Sequence, residues 1–314
     1  MTISRLLVAL LLVASVAATS LSAQGQGQGQ AQGQGRGQAQ GQAPQGQAQG
    51  QGRGQGPVQV EDRSLDRVPF PAHKIIGNIY YVGTTMLCSY LIATPEGNIL
   101  INSNFEETFP YLRASIEKLG FKMEDTKILL GSHAHGDHQQ ADAMFKAATG
   151  ATTAFMEQDV PALKNMMPGG KAHPIDRVLK DGETVTLGGT TLTAHWTPSH
   201  TRGCTTWTLK AMEGGQSYDV VILCSGAVGP DMTEAAQIIK VMSTLPGDVF
   251  LSAHPWPYNM SWKWTLLQRN PNTNPYIDPA GYKAAVAGMQ ARYNTLLEQQ
   301  RTGGGRGGAA PATP

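Results

Sequence analysis

Four side chains that could bind a cation stand close together in the 314-residue sequence. The segment Gly131–Gln140 reads GSHAHGDHQQ and brings His133, His135, Asp137 and His138 together directly after an apolar stretch. Alternate residues of an extended loop point the same way, so His133 and His135 can bind one cation while Asp137 and His138 face a second. Imidazole and carboxylate ligands suit zinc and leave coordination positions open for water. The spacing favours a zinc site over a polar surface loop.

Two further histidines follow predicted strands in the second half of the chain. His200 stands in Pro198–Gly203, a turn between two predicted strands, and His254 comes just after another strand. Together with the first cluster they give three histidines for one zinc ion, and an aspartate with two histidines for a second. Trp256, which follows His254, is expected to pack against the last helix rather than line the site. No nucleophilic triad is spelled out, and these ligands predict a site for two zinc ions.

The elements that must position these ligands come in two consecutive blocks, each with strands first and a helix and strand afterwards. This order suggests two sheets packed face to face with helices outside, and the motifs described below add most of the support. Strands are predicted at Ile79–Val82, Ser89–Thr94, Asn98–Asn102, Lys127–Leu130, Thr152–Phe155, Arg177–Leu179, Thr184–Leu187, Thr190–Trp196, Thr205–Leu209, Asp219–Leu223 and Asp248–Leu251. Helices are predicted at Phe109–Leu119, after His138, near Gln158–Met166, at Thr233–Thr244 and at Pro279–Gln300. The predicted fold class is mixed α/β, a four-layer αββα sandwich.

The two ends of the chain differ from the segment that can fold. Residues 1–23 combine Arg5, an apolar run and small residues, which is typical of a secretory signal peptide; an uncleaved N-terminal anchor is the alternative. Residues 24–56 are almost entirely Gln, Gly and Ala and predict a disordered linker, because they offer nothing to bury. Residues 57–301 predict one hydrolase domain, and residues 302–314 a disordered tail. The predicted localisation is periplasmic or secreted.

Charge and cysteine content bear on the partners and the compartment. The formal net charge is +1, which predicts no electrostatic binding of nucleic acid or anionic lipid. No stable membrane insertion is expected after signal cleavage. The expected partner is a small-molecule substrate, and a monomer is favoured. Three cysteines, Cys88, Cys204 and Cys224, form neither a disulfide framework nor a CxxC zinc site. At most one pair could be bridged, and burial as small apolar side chains is the expectation.

The ligand motifs resemble those of the metallo-β-lactamase superfamily, most closely subclass B3 of the class B β-lactamases. The HxHxDH run is the superfamily's hallmark, and SHTRGCTTW at Ser199–Trp207 is similar to its second histidine motif. The resemblance covers nearly all of residues 70–300 and includes GNIYYVGT at Gly77–Thr84, RVLKDGETVTLGG at Arg177–Gly189 and IDPAGYKA at Ile277–Ala284. It implies two ligand sets: His133, His135 and His200 for the first zinc ion, and Asp137, His138 and His254 for the second.

Two positions indicate the subclass. His138 directly after Asp137 is a ligand in subclass B3, whereas the B1 group uses a cysteine from a later strand. The glyoxalase and RNA-processing branches place a bridging aspartate after that later strand, which here reads YDVVILCSGAV without an aspartate at its end. Ser225 resembles a B3 serine that contacts bound water and substrate. A shift of one residue would make Cys224 a thiolate ligand instead, and the complete His/Asp set favours Ser225.

Three segments depart from the family pattern. Asn102-Ser103-Asn104 replaces the usual Asp-Gly-Gly, whose aspartate supports the zinc site from behind the ligands. Gln139-Gln140-Ala141 replaces the usual Ala-Gly-Gly, and Ala227 stands where a hydroxyl side chain often helps to hold a substrate carboxylate. These changes leave the predicted ligands intact and alter the surroundings of the substrate.

The activity implied by the resemblance is hydrolysis of the β-lactam ring of antibiotics through a hydroxide that bridges two zinc ions. Zinc lowers the pKa of water from about 15.7 to near 7; Asp137 would orient the hydroxide, and Ser225 would contact the substrate. A dinuclear zinc hydrolase of another exported-compartment substrate, such as a lactone or other cyclic ester or amide, is the alternative that the departures favour. A binding protein without activity is the third reading, and the complete ligand set argues against it.

Overall fold

Two β-sheets form the centre of the computed structural model, which describes residues 63–198 and 200–303. The first sheet contains, in spatial and chain order, β1 (His73–Ile76), β2 (Ile79–Tyr81), β3 (Tyr90–Thr94), β4 (Gly97–Ile101), β5 (Thr126–Leu130), β6 (Thr152–Met156) and β7 (Arg177–Leu179). The second contains β8 (Thr184–Leu187), β9 (Thr190–Trp196), β10 (Thr205–Glu213), β11 (Gln216–Leu223) and β12 (Val249–Ser252) in the order β12-β11-β10-β9-β8. Strands β4 to β7 are parallel, as are β11 and β12, and the other neighbours are antiparallel.

Helices connect and cover these strands. They are α1 (Phe109–Lys118), α2 (Gly136–Gln139), α3 (Asp142–Thr149), α4 (Val160–Asn165), α5 (Met232–Met242), α6 (Met260–Arg269) and α7 (Pro279–Gly303). None of the helices in the part of the chain that the structure describes is long and apolar enough to cross a bilayer. The predicted signal peptide and linker, and the tail beyond residue 303, lie outside the described residues.

The first sheet is buried on both faces. Along β4, Ile99 and Ile101 join the large core cluster that side chains of both sheets share, whereas Leu100 between them joins a second cluster with α1 and α3. Successive side chains of a strand point to opposite faces, so one apolar run supplies both clusters. From α1, Leu112 and Ile116 complete the second cluster.

The second sheet carries its own helices. Ile238 of α5 and Tyr282 of α7 pack in the shared core cluster together with Phe250 and Leu251 of β12. The hydroxyl of Tyr282 also donates to the carbonyl oxygen of Met242, at 3.0 Å, and so joins α7 to α5. The layers therefore follow the order helix, sheet, sheet, helix, and the predicted αββα sandwich is confirmed.

Most predicted elements are present, and the differences have local causes. Strands β10 and β11 both extend further toward the turn that joins them than predicted. Gly214 and Gly215, with φ of +59° and +81°, make this tight turn, so the two strands pair up to it. Strand β1 and helix α6 were not predicted. Helix α7 runs to Gly303, two residues past the predicted domain boundary at Arg301.

The parallel strands deliver the candidate residues. Strand β4 runs into Asn102, β5 into Gly131–Gln140, β11 into Ser225 and β12 into His254. Parallel strands end on the same edge of their sheet, which is where open α/β folds place their sites.

Candidate metal centre

Three of the predicted ligands form one triad of imidazole rings. The ring centroids lie 4.9 Å apart for His133 and His135, 4.6 Å for His133 and His200, and 4.7 Å for His135 and His200. One ring nitrogen from each falls within 4.8 Å of the others. A cation with bonds of about 2 Å to nitrogen fits between atoms at such separations. The structure thus brings together the three histidines predicted for the first zinc ion.

The other three predicted ligands form an adjoining triad. Nε2 of His138 lies 3.2 Å from Nε2 of His254 and 3.5 Å from Oδ2 of Asp137. The same carboxylate oxygen lies 3.9 Å from Nε2 of His254. Because the rings of His133 and His138 are only 4.2 Å apart, the two triads are direct neighbours. All six predicted ligands therefore meet in one place.

The ring nitrogens are arranged as zinc ligands require. Nε2 of His133 is buried and has no hydrogen-bond partner among the described residues, which is costly unless a cation binds it. Nδ1 of the same ring lies 3.1 Å from the hydroxyl of Ser132. Nδ1 of His254 donates to the carbonyl oxygen of Met86, at 3.0 Å. Such partners fix the tautomer that leaves Nε2 for a metal, so these residues fit zinc.

Burial and nearby side chains favour the protonation states of His133, Asp137 and His138 that bind metal. Burial lowers the pKa of His138 to about 3, and burial together with the neighbouring imidazoles holds the pKa of His133 well below its usual value. Burial alone would raise the pKa of Asp137, but His138 and His254 outweigh it, and that pKa lies below the ordinary range. Neutral imidazoles and an ionised carboxylate are the forms that coordinate zinc.

Cys224 is not a free thiol, which corrects the expectation that the cysteines are buried unpaired. It forms a disulfide with Cys204, with a Cα–Cα distance of 5.7 Å. Strands β10 and β11 pair so that Trp207 opposes Ile222, and this register brings the two cysteines together at the strand ends. A sulfur atom held in a disulfide offers no thiolate, so Cys224 is excluded as a metal ligand in this state. Cys88 is free and buried.

The residues that replace Asp-Gly-Gly and Ala-Gly-Gly lie against the ligand segments. Asn102 and Asn104 adopt φ of +65° and +62°, a left-handed conformation that asparagine tolerates better than most residues. Nδ2 of Asn102 lies 3.3 Å from Nδ1 of His138, and its Oδ1 accepts from the backbone N–H of Ser132 at 2.9 Å. Gln139 donates to the carbonyl oxygen of His133 at 2.7 Å. Both replacements therefore contact the ligand segments directly.

Asp159 is a site residue that sequence reasoning missed. Its buried carboxylate accepts hydrogen bonds from the backbone N–H of Ala134 (2.8 Å), the hydroxyl of Thr201 (2.8 Å) and the backbone N–H of Gly203 (2.6 Å). Any Cβ at Gly203 would lie 2.4 Å from the backbone nitrogen of Asp159, so only glycine permits this approach. Burial raises the pKa of this carboxyl, and the three hydrogen bonds act in the opposite direction. Asp159 thus joins the HxH loop to the loop of His200.

The two triads open into a cleft. A cavity of about 670 Å³ is lined by the ligand loops, strands β11 and β12, the segment after β11 and helix α7, and Asp137, Ser225 and Ala227 are among its residues. Trp256 also lines it, half exposed and stacked on His254 with ring centroids 4.2 Å apart. Trp256 therefore borders the cleft, next to the residues of α7 that line the same cavity. Because Pro255 carries the chain around after β12, the indole faces the ligand ring.

Comparisons with known proteins agree with this geometry. A profile of the metallo-beta-lactamase superfamily matches residues 88–213. The metallo-beta-lactamase FEZ-1 of Legionella gormanii is 42% identical, covering 75% of this chain and 98% of that one, with a TM-score of 0.71. BJP-1, a subclass B3 metallo-beta-lactamase of Bradyrhizobium japonicum, is 32% identical over 76% of this chain and 98% of that one, with a TM-score of 0.68.

One curated relative belongs to another branch. A hydroxyacylglutathione hydrolase of Hyphomonas neptunium is 32% identical over 117 residues, which are 36% of this chain and 40% of that protein. This chain therefore aligns with well under half of that relative's length. The solved structures match over nearly their whole length and share the two-sheet architecture. The chain belongs to the metallo-β-lactamase superfamily of metal-dependent hydrolases, and its structural neighbours are the subclass B3 metallo-β-lactamases.

Proposed function

We propose that the protein is a dinuclear zinc hydrolase that opens the β-lactam ring of antibiotics. The observation that carries the proposal is the pair of adjoining triads, His133 with His135 and His200, and Asp137 with His138 and His254. Both come from one chain, so a monomer with a small-molecule substrate suffices. The 42% identity with the FEZ-1 metallo-beta-lactamase supports the substrate class.

Residues of the cleft have distinct roles in this proposal. When bound, the two zinc ions supply the acidity that makes water a nucleophile at neutral pH. The ionised carboxylate of Asp137 lines the cleft and accepts a hydrogen bond from the attacking water, which orients it. Oγ of Ser225 accepts from the backbone N–H of Ala227 at 3.1 Å, so its own proton is directed away and can be donated to the substrate. The indole of Trp256 offers an apolar face to the substrate.

A second candidate is hydrolysis of a thioester, ester or lactone. The match to the hydroxyacylglutathione hydrolase favours it, as do the departures around the cleft. The end of β11 argues against it, because Cys224 is held in a disulfide and Ser225 follows, so no carboxylate stands there to bridge two metal ions. We therefore place β-lactam hydrolysis first.

Export from the cytoplasm is part of the proposal. The disulfide between Cys204 and Cys224 is stable in an oxidising compartment and rare in the cytosol. The signal-like pattern of residues 1–23 points to the same compartment. We propose a periplasmic or secreted location.

The deciding experiment is hydrolysis of a carbapenem and a cephalosporin by the zinc-loaded protein, followed by absorbance with and without a chelator. Turnover that the chelator abolishes supports the proposal. If two equivalents of zinc are bound and neither antibiotic is hydrolysed, the β-lactam assignment fails, and lactone and thioester substrates become the next test.

The ligand assignment has its own test. Asp137→Ala is expected to lose most of the second metal ion in elemental analysis, because it removes the carboxylate of the second triad. Retention of two full equivalents would overturn the assignment. Asp125→Ala is the matched control, since this exposed carboxylate precedes β5 at the end remote from the ligands.

A further inference from the structure

One face of the last helix lines the cleft. Ala285, Gly288, Met289 and Arg292 of α7 all border the 670 Å³ cavity, which four of the six predicted ligands also line. Their spacing of three and four residues places them on one side of the helix. The first two are small, and a Cβ added at Gly288 would meet no atom within 4 Å, so this wall leaves open space. Arg292 is the charged member of this face.

The side chain of Arg292 is available to a ligand. It is exposed, and within residues 63–198 and 200–303 it takes part in no ion pair or side-chain hydrogen bond. By contrast, the half-buried Arg113 pairs with Glu124 at 2.6 Å, and the exposed Arg177 lies 3.4 Å from Glu183. An unpaired guanidinium at the border of a reaction cleft can bind an anion without first breaking an internal ion pair.

Charge inside the cleft is distributed in a way that suits an anionic substrate. Apart from the histidines, the charged residues that line the cavity are Asp137 and Arg292. Asp137 belongs to the second triad, where a bound cation would neutralise it. Arg292 then remains as the protein charge that faces the substrate, and its sign attracts a carboxylate.

A second observation comes from the segment after β11. Ala227 lines the same cavity and has only a methyl group, where a hydroxyl often helps to hold a substrate carboxylate in similar enzymes. Ser225 is then the hydroxyl donor of this segment, and Arg292 adds a cationic donor to the cleft. A guanidinium donates two parallel hydrogen bonds to a carboxylate, which fixes the orientation of the ligand as well as its charge.

We propose that Arg292 binds the carboxylate of the substrate and selects carboxylate-bearing substrates over neutral ones. The proposal rests on the hydrolase function proposed above and deepens it by naming the chemistry of the substrate. Arg292 is a specificity-determining residue: it contributes to binding, and the ligand triads are intact without it.

The test is binding of two thiols to the cobalt-loaded protein, followed through the cobalt absorption bands. The probes are 2-benzyl-3-mercaptopropanoic acid and its methyl ester: both present a thiolate to the metal ions, and only the acid carries a carboxylate. Arg292→Ala is expected to weaken binding of the acid about tenfold and binding of the ester less than about twofold, since only the acid loses a charge-assisted interaction. Arg292→Lys is expected to fall between, because it keeps the charge without the planar fork.

The control is Arg301→Ala, which removes an exposed arginine of the same helix outside the cavity lining and is expected to leave both affinities unchanged. Equal weakening of acid and ester by Arg292→Ala, or no weakening of the acid, would overturn the proposal. Because the readout is binding of a thiol, it gives an answer whether or not a β-lactam is hydrolysed. Absence of antibiotic turnover would count against the proposed function alone.

Discussion

Replacement of Asp159 by asparagine perturbs the connection between the two ligand loops and replaces none of the predicted ligands. One carboxylate oxygen accepts from Ala134 and Thr201, and the other accepts from Gly203. Ala134 stands between His133 and His135, and the other two residues follow His200 closely in the chain. The substitution keeps the size of the side chain and removes one acceptor.

The expected magnitude follows from counting donors. An asparagine side chain has one oxygen and one NH2 group, so in either orientation at least one of the buried N–H groups of Ala134 and Gly203 meets a donor instead of an acceptor. A buried donor left without a partner costs about 1–3 kcal/mol. Loss of a residue that supports ligands from behind typically lowers metal affinity about 10- to 100-fold. We therefore expect Asp159→Asn to lower the free energy of unfolding by about 1–3 kcal/mol and the zinc affinity by about 10- to 100-fold.

Two assays separate these effects. Urea unfolding of the metal-free protein measures the loss in free energy of unfolding, and competition with a chelator measures the zinc affinity. Asp125→Asn is the matched control, because this exposed carboxylate lies at the start of β5 and is expected to change neither quantity. Zinc affinity and stability of Asp159→Asn that both equal those of the wild type would refute the reasoning, since the two loops would then not depend on this carboxylate.

Three further perturbations test other contacts. Nδ1 of His138 lies 3.3 Å from the amide nitrogen of Asn102, so Asn102→Asp places a carboxylate beside it. This is expected to raise the affinity of the second site for zinc about tenfold or more. Chelator competition measures the affinity, and an unchanged value would contradict the prediction. Replacing Cys204 and Cys224 by serine removes a disulfide that closes a loop with a sequence separation of 20 residues. The free energy of unfolding is expected to fall by about 3 kcal/mol. A loss under about 1 kcal/mol in urea unfolding would contradict this prediction. Burial lowers the pKa of His73 from 6.5 to about 4, so the unfolded chain takes up the proton first as the pH falls. The stability that depends on neutral His73 is therefore complete above pH 6.5 and declines by up to about 3 kcal/mol toward pH 4. His73→Gln should flatten this part of the curve of stability against pH, and a variant curve parallel to that of the wild type would exclude the explanation.

Local patterns predicted the cluster of ligands, and the family motifs added most of the support for the order of the layers. The HxHxDH segment is short, so residue type and spacing alone indicate which side chains can reach one place. The continuous apolar run of β4 is likewise consistent with the burial of this strand on both faces. The resemblance to the metallo-β-lactamase superfamily and the αββα sandwich are both confirmed. The metal-binding roles of the six ligands remain predictions, although their side chains meet.

Contacts between distant segments required the tertiary structure. The pairing of Cys204 with Cys224 depends on the register of β10 against β11, and the role of Asp159 depends on the close approach that Gly203 allows. Neither spacing nor residue type carries this information, because both contacts join residues that are far apart in the chain. The same holds for Arg292, whose position at the cleft follows from how α7 packs against the second sheet. The amino-acid sequence determined which side chains can do the chemistry, and the packing of helices on sheets decided which others surround them, since burial and register are properties of the whole fold.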